Sequence, residues 1–298
     1  MAEFRRIRYR RDPAVELRTR ALRLVVVTGR GPRIAHLSRP GGDNLLLWAP
    51  GKYRRNRWDL LGGHRLWLTR PGADESEETY FPDLRRCLVE IKRGALTVST
   101  PRDPATRLVR GLTIRVLAAD RLEVEHFVRN ESDMLWSGGL WGLTCTVPNR
   151  TTTYTIPLAD GSAWDTAGMT FFKKWGGSHT GAYHDPQFTF TADGVVLRAQ
   201  GAENKRAFRA APGIIALHDP ARGVLFAKRS LFLPGADYPL ASNLAVYTGP
   251  GSFMVEMETM SPHATLRPGE GLTHAECWVL RAAPKRVPGA RRLASLFA

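Results

Sequence analysis

The chain has 298 residues, 43% apolar and 24% charged, a globular mixture that excludes wholesale disorder, collagen and coiled coil. At this length a sizeable core forms without disulfide staples, and one large all-β unit is as admissible as two domains. Of the 43 basic residues, 36 are Arg, and against 28 acidic ones they leave a net charge of +15, a field that favours anionic partners without specifying a fold.

The first eleven residues are basic, with Arg at 5, 6, 8, 10 and 11, but run into Asp12-Pro13 instead of an apolar stretch, so no secretory leader is read. The longest apolar run near the start, residues 24–27, is far short of the ~20 that a spanning helix needs. These features predict a soluble, cytoplasmic protein with no membrane association. Its layout reads as a basic N-terminal arm over 1–20, one domain over 21–283 and a basic tail over 284–298. The arm raises nucleic-acid binding as a function, ranked below the others because no nucleic-acid motif accompanies it.

Further along, short β-rich runs end at Pro and Gly: 22–27 at Thr28-Gly29, 33–37 at Pro40-Gly41-Gly42, and 44–48 at Pro50-Gly51. Period-2 alternation marks a hairpin of 112–117 with 121–128, and a second joins 213–217 to 224–228. Helical periodicity is confined to 291–297. No βαβ alternation, phosphate loop or fixed repeat occurs, which counts against nucleotide-binding folds. The three cysteines, Cys87, Cys145 and Cys277, are too scattered for a disulfide framework or a metal cluster. One large antiparallel sandwich fits best.

Three segments carry candidate chemistry. In residues 253–262, alternation puts Phe253, Val255 and Met257 toward the core and Met254, Glu256, Glu258 and Met260 on the other face. Neighbouring carboxylates interleaved with methionine suit a partly apolar groove, where mutual repulsion raises one pKa toward general-base work; a solvated strand face competes with that reading. In residues 58–67, Gly62-Gly63 permits close backbone approach, and His64, Arg65 and Trp67 follow, with Tyr80 downstream. Aromatic platforms beside charged donors are what a polyhydroxylated ring requires, although a structural role for His64 is the alternative. In residues 202–206, Lys205 offers a cation to an oxygen-rich ligand or to water. His179 and His184 lack any known metal spacing, and neither a metal nor another cofactor is expected.

The order of several segments resembles the aldose 1-epimerase (galactose mutarotase-like) superfamily. These are 33–37 with Gly41-Gly42-Asp43-Asn44-Leu45-Leu46, Gly62 to Trp67, Tyr80-Phe81-Pro82-Asp83, Asn204-Lys205, Lys228-Arg229, Pro234-Gly235-Ala236, and 255–278 around Leu266-Arg267-Pro268-Gly269-Glu270. The likeness is to a largely uncharacterised branch and spans about residues 20–280. It implies an all-β fold, a β-supersandwich of antiparallel sheets with a sugar groove. It also implies an isomerase that interconverts anomers of a free or anionic (phosphorylated or acidic) sugar, through a carboxylate base and a His acid. The base falls on Glu258 or Glu256. The strand where the family carries its acid reads 140–146 here, with Trp141 and Thr144 but no His, so His64 or the 179–184 loop would have to substitute. Arg65, Trp67, Tyr80, Trp141, Thr144 and Lys205 would line the substrate. The alternative is a carbohydrate-binding protein that keeps the groove without the acid.

Overall fold

The computed structural model describes residues 3–55, 58–72, 85–158, 166–172 and 185–298. Among them, two large antiparallel sheets stack face to face. The 11-stranded sheet runs in the order Glu3–Tyr9, Asp12–Arg18, Arg23–Val27, Arg33–Ser38, His64–Thr69, Trp136–Thr146, Val255–Met260, Leu244–Thr248, Asn204–Arg209, Gly168–Phe171, with Ala264–Leu266 pairing the start of Trp136–Thr146. The 10-stranded sheet runs Phe188–Thr191, Gly194–Leu197, Thr153–Pro157, Ile214–Asp219, Val224–Ser230, Gly271–Ala282, Arg121–Asn130, Leu108–Ala118, Ala95–Ser99, Leu88–Lys92.

Alternation along each strand decides what lies between the sheets. In Arg121–Asn130, Leu122, Val124, His126 and Val128 are buried while Glu123 and Glu125 on the opposite face pair with Arg115. From the larger sheet, Leu24, Val26, Ile34, Leu66, Leu140, Val255 and Met257 join the same apolar core. Each such side chain contributes on the order of 1.5–3 kcal/mol when fully buried. The larger sheet is enclosed at its centre. Its central strands Arg33–Ser38 and Val255–Met260 are buried on both faces, carboxylates included.

Both hairpins form as expected, extended to Leu108–Ala118 with Arg121–Asn130 and to Ile214–Asp219 with Val224–Ser230. Three expectations are corrected. Residues 3–18 are no free arm: Glu3–Tyr9 and Asp12–Arg18 form a hairpin at the edge of the larger sheet, because Phe4 packs on the core between the sheets while Ile7 and Tyr9 cover Val25, Val27 and Trp48 on the other face. Residues 44–48 make only isolated bridges, Leu46 to Thr146 and Trp48 to Gly62, since Asn44 turns the chain by binding the backbone of Leu37, Ala35 and Leu46. The C-terminal tail is packed too. Its helix, Ala290–Ala294, ends with Leu293 and Leu296 against Ile214, Ala216, Leu225 and Val279 on the outside of the smaller sheet.

The approach to strand His64–Thr69 is fixed by Gly62 and Gly63, at φ 82° and 71°. A Cβ on Gly62 would lie 2.3 Å from the Leu47 carbonyl oxygen, and one on Gly63 2.4 Å from that of Ile34. The Gly63 amide donates to Leu47 at 2.6 Å, and its carbonyl accepts from Cys145 at 2.9 Å. Replacing either glycine with Ala is therefore expected to cost at least ~1–3 kcal/mol through strain alone, with the clash added, and to lower the urea midpoint of unfolding.

Candidate functional site

On the outer face of the larger sheet, three adjacent strands and a fourth beyond Leu244–Thr248 bring charged and aromatic side chains together. Strand His64–Thr69 contributes Arg65 and Trp67, Trp136–Thr146 contributes Trp141 and Cys145, Val255–Met260 contributes Glu256 and Glu258, and Asn204–Arg209 contributes Lys205. The Arg65 guanidinium donates to Glu256 at 3.0 Å and lies 4.0 Å from the centre of the Trp67 ring. The Trp141 indole donates to Glu258 at 2.8 Å, and the Lys205 ammonium sits 3.5 Å from the same carboxylate oxygen and 4.4 Å from the Trp141 ring centre. Trp67 and Trp141 meet edge to face with centroids 5.8 Å apart. Cys145 donates to Glu256 at 3.2 Å; burial, reinforced by that carboxylate, pushes its thiol up, so it is no thiolate nucleophile. Tyr247 donates to Glu203 at 2.5 Å at the border of this region, its phenol also pushed up by burial and then by that hydrogen bond.

The inner face of the same strands holds a second network. Lys228 and Glu276 of the smaller sheet pair at 2.9 Å with both side chains fully buried. Lys228 also reaches Thr144 at 3.0 Å and the Gly142 carbonyl at 3.5 Å. The proton positions follow from one fixed point. His126 Nδ1 lies 2.8 Å from the His274 carbonyl, which can only accept, so Nδ1 carries the hydrogen and Nε2 of the neutral ring is bare. His64 Nε2 then donates to it at 2.7 Å, leaving His64 Nδ1 to accept from Thr144 at 2.8 Å. On the other side His274 Nε2 donates to Thr259 at 2.8 Å, Thr259 donates to Glu276, and the Trp278 indole donates to Glu276 at 2.5 Å.

Burial holds His64 well below the ordinary imidazole range, lowers His126, and brings His274 to about 3. Burial acts to raise Glu276, yet the Lys228 ammonium and the surrounding rings hold its carboxyl low, while burial draws the Lys228 ammonium down against the pull of Glu276. The ligating atoms of His64, His126 and Glu276 lie within 4.8 Å of one another, a set of the kind that binds metals. Here both imidazole lone pairs are already spent on hydrogen bonds, and Lys228 supplies the cation beside the carboxylate. The donor set therefore fits a closed hydrogen-bond network better than an ion.

The sequence-predicted residues thus divide between two faces. Glu256, Glu258, Arg65, Trp67, Trp141 and Lys205 converge on the outer one. His64 and Thr144 point inward, on the far side of the sheet from both glutamates, because they sit one residue out of phase with Arg65 and Cys145. His64 is not brought to the carboxylates. Tyr80, His179 and His184 lie outside the described residues. Phe253 precedes its strand and packs with Tyr53 and Met254 instead of in the main core. The residues missed were His126, Lys228, Thr259, His274 and Glu276. A signal existed: His274, Glu276 and Trp278 recur at spacing two, one face of one strand.

No protein-family model matches the sequence, and no curated protein does. Among solved structures, the fold recurs in a galactose mutarotase-like protein from Lactobacillus casei, at 13% identity and TM-score 0.59 over 90% of this chain and 100% of that one. A galactose mutarotase-like protein from Clostridium acetobutylicum is similar at 10% identity and TM-score 0.59, over 95% and 98%. A TPR-domain-containing protein from Parabacteroides distasonis matches at 12% identity and TM-score 0.58 over 93% of this chain, which spans 49% of that longer protein. The fold is accordingly a galactose mutarotase-like β-sandwich, as the resemblance in sequence implied.

Two outcomes are expected from the inner network. Lys228→Met leaves the Glu276 carboxylate buried without its ammonium, and urea unfolding should show a loss of about 3–5 kcal/mol, with partial recovery when Glu276→Leu is added. The unfolded chain protonates its imidazoles near pH 6.5, whereas the folded chain keeps His64, His126 and His274 neutral below that. Below pH 6.5 the unfolded state therefore binds more protons, so this stability is complete above that pH and is lost as pH falls. Urea midpoints measured from pH 7.5 to 5 should decline accordingly, and less steeply in His274→Gln.

Proposed function

We propose that the outer face of the larger sheet binds a neutral monosaccharide, with Trp67 and Trp141 offering ring faces to its C–H groups and Glu256, Glu258, Arg65 and Lys205 bonding its hydroxyls. The reading rests on the buried Glu258 carboxylate, held by Trp141 at 2.8 Å and by Lys205 at 3.5 Å on the same face as Trp67. Polar groups are desolvated at a cost unless they are paired, and an aromatic wall with fixed donors and acceptors is a sugar-binding chemistry. Arg65 with Glu256 and Lys205 with Glu258 cancel each other's charge, which favours an uncharged ligand over a phosphorylated or acidic one. Phe172 and Leu240 pack over the two indoles, so a sugar reaches them once that cover shifts.

Anomer interconversion is the second reading, favoured by Glu258 standing on this face as a carboxylate base would. Among the described residues no imidazole is hydrogen-bonded to either glutamate, and His36, which also faces outward, is engaged by Tyr9 and Ser38, so these residues do not supply the imidazole acid that interconversion needs. We therefore favour carbohydrate binding without strong catalysis.

Titration of intrinsic fluorescence with a panel of aldoses tests this. Saturable quenching by at least one neutral sugar is expected, lost in Trp141→Ala and weakened about tenfold or more in Glu258→Gln, the scale of a charge-assisted hydrogen bond. The absence of any response to neutral sugars would discard the proposal. Exchange NMR on the sugar that binds separates the two readings: interconversion at the uncatalysed rate supports binding alone, whereas acceleration abolished by Glu258→Gln establishes catalysis.

A further inference from the structure

At one end of the sandwich, away from the glutamate face, lies the edge strand of each sheet among the described residues: Glu3–Tyr9 in the larger and Leu88–Lys92 in the smaller. Between them opens a cavity of about 530 Å³, within the ~300–1,000 Å³ span of small-molecule sites. Its floor and walls are largely apolar, made by Ala14, Val15, Val89, Pro13 and Pro101. Val15 and Ala14 are buried, and Leu88 at the mouth is 62% exposed. The segment leading into the second edge strand is anchored, its Cys87 amide donating to the Thr28 carbonyl at 2.8 Å and Arg85 pairing with Asp103 at 3.4 Å.

Two arginines line this apolar hollow. Arg6 is the register partner of Val15, and Arg86 belongs to the anchored segment on the other side. Both are exposed, neither pairs with a carboxylate among the described residues, and no acidic residue lines the cavity among them. Other arginines do meet carboxylates, as Arg18 and Arg23 with Glu16, Arg30 with Asp12, and Arg115 with Glu123, and these do not border an apolar cavity of this kind. Cations left open beside buried hydrocarbon favour a ligand with complementary parts.

We propose that this cavity binds a small amphiphilic carboxylate, its apolar body against Val15 and Val89 and its head group between Arg6 and Arg86. A guanidinium fork matches a carboxylate in two parallel hydrogen bonds, and the apolar floor gains by excluding water from a hydrocarbon chain. A nucleic acid would engage the arginines but leave the floor wet, and a sugar would leave both arginines without a counter-charge. The site is independent of the sugar-binding face.

The probe is decanoate, measured by displacement of the fluorescent anion 1-anilinonaphthalene-8-sulfonate from the full chain, with decanol and decyl phosphate as comparators. Decanoate should displace the dye saturably, and decanol much more weakly. Arg6→Gln with Arg86→Gln should weaken decanoate about tenfold or more, the scale of lost charge-assisted hydrogen bonds. Arg286→Gln with Arg292→Gln, exposed and outside the cavity, should leave it unchanged. All four arginines are exposed, so circular dichroism and the unfolding midpoint should match those of the unaltered chain. Absence of saturable displacement, equal affinity for decanol, equal loss in both double variants, or no loss in Arg6→Gln with Arg86→Gln would overturn the site. Preference for decyl phosphate would overturn the choice of head group.

Discussion

Lys228 and Glu276 form an ion pair that water does not reach, and the spacing of the two sheets follows from how that pair is satisfied. Both residues belong to the smaller sheet, and apart from the Trp278 indole on Glu276 the remaining hydrogen bonds of the ammonium and carboxylate come from Thr144, Gly142 and Thr259 of the larger one. A buried ion pair with open valences would destabilise the core; one completed from the facing sheet works as a clamp. Gly142 makes the clamp fit. A side chain there would place its first carbon 2.7 Å from the Glu276 oxygen and 3.0 Å from the His126 ring. The three imidazoles then serve as neutral connectors, His64 and His126 toward Thr144, His274 toward Thr259.

With the inner side occupied in this way, chemistry on the larger sheet is confined to its outer side. There the two ion pairs share an aromatic wall, and four charges cancel locally in a chain that is +15 overall. The excess charge is carried elsewhere, a small part of it by the N-terminal hairpin that extends the sheet. Charge summed along a sequence therefore says little about any one face of a sandwich. The two arginines at the open end of the sandwich belong to that surplus, whereas Arg65 and Lys205 do not.

Much of this was legible in the chain. Alternation in 253–262 placed Glu256 and Glu258 opposite Val255 and Met257 correctly, because a period of two follows from strand geometry alone. The glycine pair announced a close backbone approach, which is what φ 82° and 71° deliver. What could not be read was which strands lie opposite each other across the sandwich. His64 looked like a partner for the glutamates because it shares a segment with Arg65 and Trp67, yet adjacent residues in a strand face opposite ways. The network around Glu276 joins residues far apart in the chain: the hydrogen bond of His126 to the carbonyl of His274 alone spans 148 residues. The basic start of the chain was taken for an arm because Arg dominated its composition. Phe4, Ile7 and Tyr9, the residues that dock it, were the weaker signal.

The strand His64–Thr69 belongs to both networks at once, its odd positions facing one way and its even positions the other. Inserting or deleting one residue between the glycine pair and Trp67 would exchange the two sets, sending a guanidinium into the hydrocarbon between the sheets and an imidazole to the indole-lined side. No compensating change at a single other position could repair both losses. A change of length is consequently expected to be tolerated at the ends of this strand and not within the stretch from Gly62 to Trp67, where parity as well as residue type is fixed.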